Sequence, residues 1–103
     1  DSVDAWRNAM CGHAACNVLP VVASNRIGRE CMTEAPEVYL DFYGNSFIAD
    51  HEGEVVAQAG RSQEEVLVHH FDFDQVKEYR DSWAVFRDRR PDLYGALATL
   101  DGA

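Results

Sequence analysis

A short apolar run, Leu19-Pro20-Val21-Val22-Ala23-Ser24, limits the possible folds more than any other stretch of the chain. It is rich in β-branched residues and carries proline near its start, which suits a strand buried on both faces. Such a strand needs a neighbour on each edge and a layer over each face. A chain of 103 residues makes one small domain at most. The flanking sequence must therefore supply that cover, or a larger parent must.

The flanks read as follows. Residues Ser2 to Cys16 predict a helix: Ser2 can cap it, Asp4 suits the first turn, and Val3, Trp6, Met10 and Ala14 recur at helical spacing. Asn25 to Leu40, with Gly28, Pro36 and mixed charge, reads as a loop. Ser46 to Ala49 and Glu54 to Gln58 flank Asp50-His51-Glu52-Gly53, a tight-turn signature, and predict a hairpin. Val66 to Phe71 reads as a further strand of that group. A helix then runs to about Arg80, opened by Asp72 or Asp74, with Asp72 and Gln75 at capping-box spacing. Leu93, Leu97 and Leu100 form a last short apolar stripe. The order predicts an α/β fold with a mixed (α+β) sheet and helices on one face. It leaves sheet edges unpaired and has few helices to cover them, so as an autonomous domain it reads as incomplete.

Composition narrows the function classes. At 47% hydrophobic and 11% aromatic the chain is globular rather than disordered. A net charge of −9 argues against nucleic acid, which needs a basic surface, and is compatible with a cationic substrate. No apolar run approaches the length of a membrane span and no signal sequence appears, so no membrane partner is expected. The first residue is Asp1 rather than Met, which points to a fragment or a processed product. Three irregularly spaced cysteines make no disulfide framework, and a reducing, cytoplasmic setting is expected.

The candidate chemistry is sparse. Cys11 and Cys16 fall in the interior or at the C-terminal end of the first predicted helix, where the dipole disfavours a thiolate. Cys31 follows Arg29 and Glu30 in the loop, and all three thiols are expected to pack or stay spare. Cys11-x-His13-x-x-Cys16 imitates a metal motif, but only His13 and Cys16 share a helical face, too few ligands for zinc. His69 and His70 alternate across a strand and cannot chelate one ion together. The carboxylates Glu64, Glu65, Asp72 and Asp74 fit turns and caps, and no glycine-rich phosphate loop exists. The stretch Arg87-Asp88-Arg89-Arg90, set among Trp83, Phe86 and Tyr94, suits a buried or interfacial ion-pair network more than an anion site.

Four ordered segments carry a resemblance. They are Asp1 to Trp6 with Gly12-His13-Ala14-Ala15; Pro20-Val21-Val22-Ala23-Ser24-Asn25-Arg26-Ile27-Gly28-Arg29-Glu30; Phe42 to Asp50 with Gly53 to Ala57; and Trp83 to Tyr94 with Leu97 to Gly102. Together they resemble the C-terminal part of the nitrilase superfamily, the carbon–nitrogen hydrolases, and most closely its N-carbamoylputrescine amidases. The resemblance implies an αββα sandwich, with residues 1–103 as the C-terminal portion of one domain whose catalytic portion is absent. It implies hydrolysis of a ureido or amide substrate, N-carbamoylputrescine first and ureidopropionase-like chemistry as an alternative, with no cofactor and no metal. The Cys, Glu and Lys of that chemistry are expected upstream, and neither Cys11 nor Cys16 replaces them. Asn25 is expected near the pocket as a substrate-binding residue, with Ser24 and Arg26 beside it; the bland reading is that Asn25 only holds the following loop. Family tails reach over a partner subunit, which implies a homo-oligomer with Trp83, Phe86, Arg87, Arg89, Arg90 and Tyr94 at the interface. A non-catalytic interaction module using that tail is the competing reading, and a small thiol or zinc protein a more distant one.

Overall fold

A computed structural model describes residues 2–102. The first helix, α1, spans Val3–Asn17. It agrees with the helical spacing, but Ser2 does not cap it through its side chain; the Ser2 carbonyl accepts the Trp6 N–H instead (2.9 Å). Its C-terminus is unusual. Val18 takes the left-handed conformation (φ 48°), and the Val18 and Leu19 N–H groups return to the Ala15 and Ala14 carbonyls. This is the closure that glycine normally provides, and a β-branched residue there is strained. Burial of Val18 (2% exposed) and a fork from Arg80 onto its carbonyl (Nη2 2.8 Å, Nε 3.2 Å) offset the strain.

Five strands follow: β1 Val21–Ala23, β2 Ile27–Cys31, β3 Tyr39–Tyr43, β4 Phe47–Ala49 and β5 Val55–Gln58. They form one sheet in the order β1-β4-β5 and a second of β2 with β3, and every pairing is antiparallel. The α/β class with a helix on the sheet therefore stands, while the parallel component of a mixed sheet is absent among the described strands. The β4–β5 hairpin forms as its turn residues dictate. Gly53 supplies φ 88°, and the Asp50 carboxylate accepts the N–H groups of Glu52 and Glu54, each at 2.9 Å. Of residues 25–40, expected as a loop, 32–38 do connect as one, but β2 and the start of β3 on either side pair as a hairpin. Gly28 and mixed charge concealed a solvent-facing ladder held by Arg29–Asp41 (Nε–Oδ1 2.6 Å) and by guanidinium stacking of Arg29 on Tyr39 (3.7 Å) and of Arg26 on Phe42 (4.5 Å).

The core is small. Ala14 of α1 packs on Phe47 and Ala49 of β4, with Trp6, Met10, Cys11, Val21 and Ala23 around them. Trp6 meets the Phe47 ring edge-on at 5.2 Å. All of β4 is buried, but β1 is not covered on both faces: Val22 is 71% exposed. Among the described residues only β4 pairs with β1, and α1 covers one face. Nor does Val66 to Phe71 join the sheet, because no described strand lies alongside it.

Asp72 caps the second helix, α2 (Phe73–Trp83), by accepting the Asp74 and Gln75 N–H groups at 2.9 and 3.3 Å. Beyond it come two 3₁₀ turns, Pro91–Leu93 and Gly95–Ala98. The leucines of the last apolar stripe lie in the open, with Leu97 83% exposed. The radius of gyration, 18.7 Å, exceeds the roughly 13 Å of a compact domain this long. The excess matches an uncovered β1 face and tail.

The β2–β3 arm carries a testable pH response. Arg29 donates to Asp41 and holds its carboxyl below the usual carboxylate range, with desolvation opposing. A depressed folded pKa contributes stability that is present above the unfolded value and is lost as pH falls through the folded one. In a titration by nuclear magnetic resonance from pH 6 to about pH 2, arm amides of the wild type should lose dispersion at the acid end. Asp41→Asn should show the loosened state throughout, and the difference should shrink in high salt because the pair is exposed. Identical titrations would remove Asp41 from the account.

Candidate functional site

Ser24, Asn25 and Arg26 stand between β1 and β2, opposite Gly44, Asn45 and Ser46 between β3 and β4. The two sheets are one hairpin with a pinch. Ala23 pairs with Phe47 above the break and Ile27 with Tyr43 below it, so the register carries through unchanged. Within the pinch, side chains take over from the ladder. The Asn25 N–H donates to Ser46 Oγ (2.8 Å), and that hydroxyl reaches the Asn25 carbonyl (3.2 Å). Asn25 Nδ2 donates to the Gly44 carbonyl (2.8 Å), while Asn25 Oδ1 accepts the Arg26 N–H (2.8 Å). A single ladder bond survives, from the Gly44 N–H to the Arg26 carbonyl (2.9 Å).

The opposite side is bound equally tightly. Gly44 and Asn45 are both left-handed, each with φ 58°. Asn45, a buried polar residue, donates to the Tyr43 carbonyl (2.7 Å) and accepts from Gln58 Nε2 (3.3 Å). Its N–H donates to the Gly60 carbonyl at 3.0 Å. Beside this knot lies a cavity of about 260 Å³, lined by Ser24, Asn25, Ile27, Ser46, Ala59, Gly60, Gln63, Glu64 and Glu65. Glu65 is held there by accepting the Gly60 N–H through Oε1 (2.8 Å).

Ser24 and Asn25 thus line one cavity, whereas the Arg26 guanidinium turns away to Glu30 (2.8 Å) and the Phe42 ring. The Asn25 amide is half committed to the pinch, leaving one N–H and one oxygen lone pair for a ligand. Sequence reasoning missed Ser46 and Asn45. The adjacent Gly44 and Asn45, both tolerant of the left-handed region, were the available signal.

The tail residues are placed differently. Arg87 pairs with Asp88 (Nε–Oδ1 2.7 Å), Arg90 with Asp92 (2.9 Å), and Arg89 donates to the Phe86 carbonyl (3.0 Å) and faces its ring. Arg87 and Arg90 hold the carboxyls of Asp88 and Asp92 below the usual range. These pairs lie on the surface of the chain rather than in its interior. Trp83, Phe86 and Tyr94 are 61%, 49% and 44% exposed. Among the described residues no three His, Cys, Asp or Glu side chains converge as metal ligands, and His13 and Cys16 stay apart from any third.

Residues 2–81 match the carbon–nitrogen hydrolase family. The chain is 57% identical over 103 residues to an N-carbamoylputrescine amidase of Arabidopsis thaliana, covering 99% of this chain and 34% of that protein. It is 48% identical over 97 residues to a citrullinase of Francisella tularensis, covering 94% of this chain and 33% of that protein. A crystal structure of a carbon–nitrogen hydrolase from Helicobacter pylori G27 superposes with a TM-score of 0.86 at 36% identity, covering 96% of this chain and 34% of the other. The chain spans about a third of the length of the curated relatives it matches. With the family match running from the start of α1 nearly to the end of α2, the chain belongs to the carbon–nitrogen hydrolases.

Proposed function

We propose that residues 1–103 are the C-terminal portion of an amidase that hydrolyses N-carbamoylputrescine to putrescine, carbon dioxide and ammonia. The carrying observation is 57% identity to a plant N-carbamoylputrescine amidase across nearly the whole chain. In this reading a cysteine attacks the ureido carbonyl, a glutamate moves the proton and a lysine stabilises the oxyanion, all three supplied upstream of this chain. The chain's own part is positional. The pinch fixes Ser24 and Asn25 at the cavity, and the Glu64 and Glu65 carboxylates give its wall the sign that suits an alkylammonium end. No cofactor is required by this chemistry. A cytoplasmic homo-oligomer, with Trp83, Phe86, Arg87, Arg89, Arg90 and Tyr94 in subunit contacts, completes the proposal.

The isolated chain should show no turnover of N-carbamoylputrescine. Co-expressed with the part of the Arabidopsis amidase that lies outside its match, it should yield ammonia and putrescine. Appreciable turnover by the isolated chain would sink the division of labour. The exposed tail aromatics favour a second reading, a non-catalytic interaction module, which predicts an inactive assembly that still binds a partner.

A further inference from the structure

Two cavities share a wall at the turn of the β4–β5 hairpin, beyond the end of β4 opposite Ser46. That wall is His51, Glu52 and Tyr79. One cavity, of about 230 Å³, continues over Ala15, Val18, Trp83 and Val85 and is apolar. The other, of about 410 Å³, continues over Gln75, Glu78 and Ser82 and is polar. Fixed pieces hold the wall in place. Gly53 presses the turn onto α1, where an added methyl would stand 2.8 Å from the Cys11 carbonyl oxygen and 3.1 Å from Ala15 Cβ. Across from the turn, Gln75, Glu78, Tyr79 and Ser82 recur at i, i+3, i+4 and i+7 on one face of α2. The Arg80 fork on the Val18 carbonyl sets that helix against the end of α1. Tyr79 joins the two sides: its hydroxyl donates to Glu52 Oε2 (3.2 Å), and its ring meets the His51 ring edge-on at 5.0 Å.

We propose that these joined cavities bind a primary alkylammonium ion, its charged end in the polar cavity and a short alkyl chain in the apolar one. A primary ammonium carries three N–H donors and no acceptor. Around the polar cavity the Glu52 and Glu78 carboxylates and the Gln75 amide oxygen offer matching acceptors. Glu78 is free for this role: the neighbouring Lys77 pairs with Asp81, and the Glu78 side chain has no partner among the described residues. The Tyr79 ring adds a face that attracts a cation, and the net charge of −9 draws cations toward the chain. One ammonium suits the site better than two. Glu52 is the carboxylate of the apolar cavity, and the polar cavity already shares it. Trp83, placed above in a subunit contact, does not line the polar cavity, so recognition of the charge does not depend on it. The site is also separate from the proposed activity, since none of its residues lines the Asn25 cavity.

The test is a titration of this chain with n-butylamine, followed by nuclear magnetic resonance, with n-butanol, tetramethylammonium and butane-1,4-diamine as comparison probes. Butylamine should give saturable shifts at the His51, Glu52, Glu78 and Tyr79 amides. It should bind about tenfold or more tighter than butanol, which lacks the charge, or tetramethylammonium, which lacks the N–H donors. The diamine should bind no tighter than butylamine despite its second charge. Glu52→Gln and Glu78→Gln keep the shape of the wall and should each weaken butylamine several-fold. Glu34→Gln removes the same charge between β2 and β3 and should leave binding unchanged. If Glu52→Gln lowers the melt through Tyr79, Glu78→Gln decides alone, because that exposed side chain holds nothing in place. Shifts that never saturate, tighter binding of the diamine, or an equal loss in Glu34→Gln would leave only the general pull of an acidic chain and overturn the site. Butanol binding as tightly as butylamine would overturn the assignment to an ammonium.

Discussion

Phe47→Ala should abolish the cooperative melt of this chain. Phe47 is the largest side chain fully withdrawn from solvent, at 1% exposure, and it lies in β4, the central strand of the β1-β4-β5 sheet. Its ring takes the edge of Trp6 and backs onto Ala14 and Ala49. The residues around it are two alanines and partly exposed neighbours, so little can collapse into the void. Truncating a buried phenylalanine costs about 3–5 kcal/mol, which is a large share of the about 5–15 kcal/mol that holds ordinary domains together. Tryptophan fluorescence should red-shift in the variant, because Trp6 loses its packing partner. Phe86→Ala is the control: Phe86 is 49% exposed, and surface changes of this kind stay within about 0.5 kcal/mol. If both variants melt together, the α1–β4 contact is not the core.

Which elements were legible in the sequence follows from where their signals reside. The helices were read from spacing and from Asp72, because capping is local chemistry and needs no partner. The β4–β5 hairpin was read from Asp50 and Gly53 for the same reason. The β2–β3 hairpin was not, because its stabilising pairs are cross-strand: Arg29 finds Asp41 only once the register is set. Val66 to Phe71 has a strand's composition, and a strand forms only against a neighbour. The same distinction divides the site. Asn25 was marked by its place at the end of a matched strand, whereas Ser46, its actual anchor, lies far along the chain and carries no local sign of the contact. The tail was read as interfacial from its aromatics and arginines. In the single chain these side chains are exposed, and the ion pairs among them are local and not buried.

Gly44→Ala should undo the pinch and with it the site. Gly44 sits at φ 58°, where an L-residue costs about 1–2 kcal/mol. Space adds a second penalty. A methyl group there would lie 2.7 Å from Ile27 Cγ2, 2.8 Å from the Gly60 carbonyl oxygen and 3.0 Å from the Arg61 carbonyl oxygen. Two of those three atoms are main chain and cannot swing aside, so a cost of about 1–3 kcal/mol typical of overpacking adds to the strain. The backbone must move, and the Gly44 carbonyl that holds Asn25 Nδ2 moves with it. Gly28→Ala separates the two contributions, since Gly28 is also left-handed (φ 91°) yet a methyl there meets nothing within 4 Å. Gly44→Ala should therefore lower the melting temperature more than Gly28→Ala. It should also speed exchange at the Asn25, Asn45 and Ala59 amides, which Gly28→Ala should leave slow. In the complemented amidase, Gly44→Ala should raise KM, because Asn25 and the acidic wall across the Gly60 loop lose their common anchor. Equal effects of the two substitutions would mean that conformational strain alone matters at Gly44, and that the close approach of the Ile27 and Gly60 chains does not build the cavity.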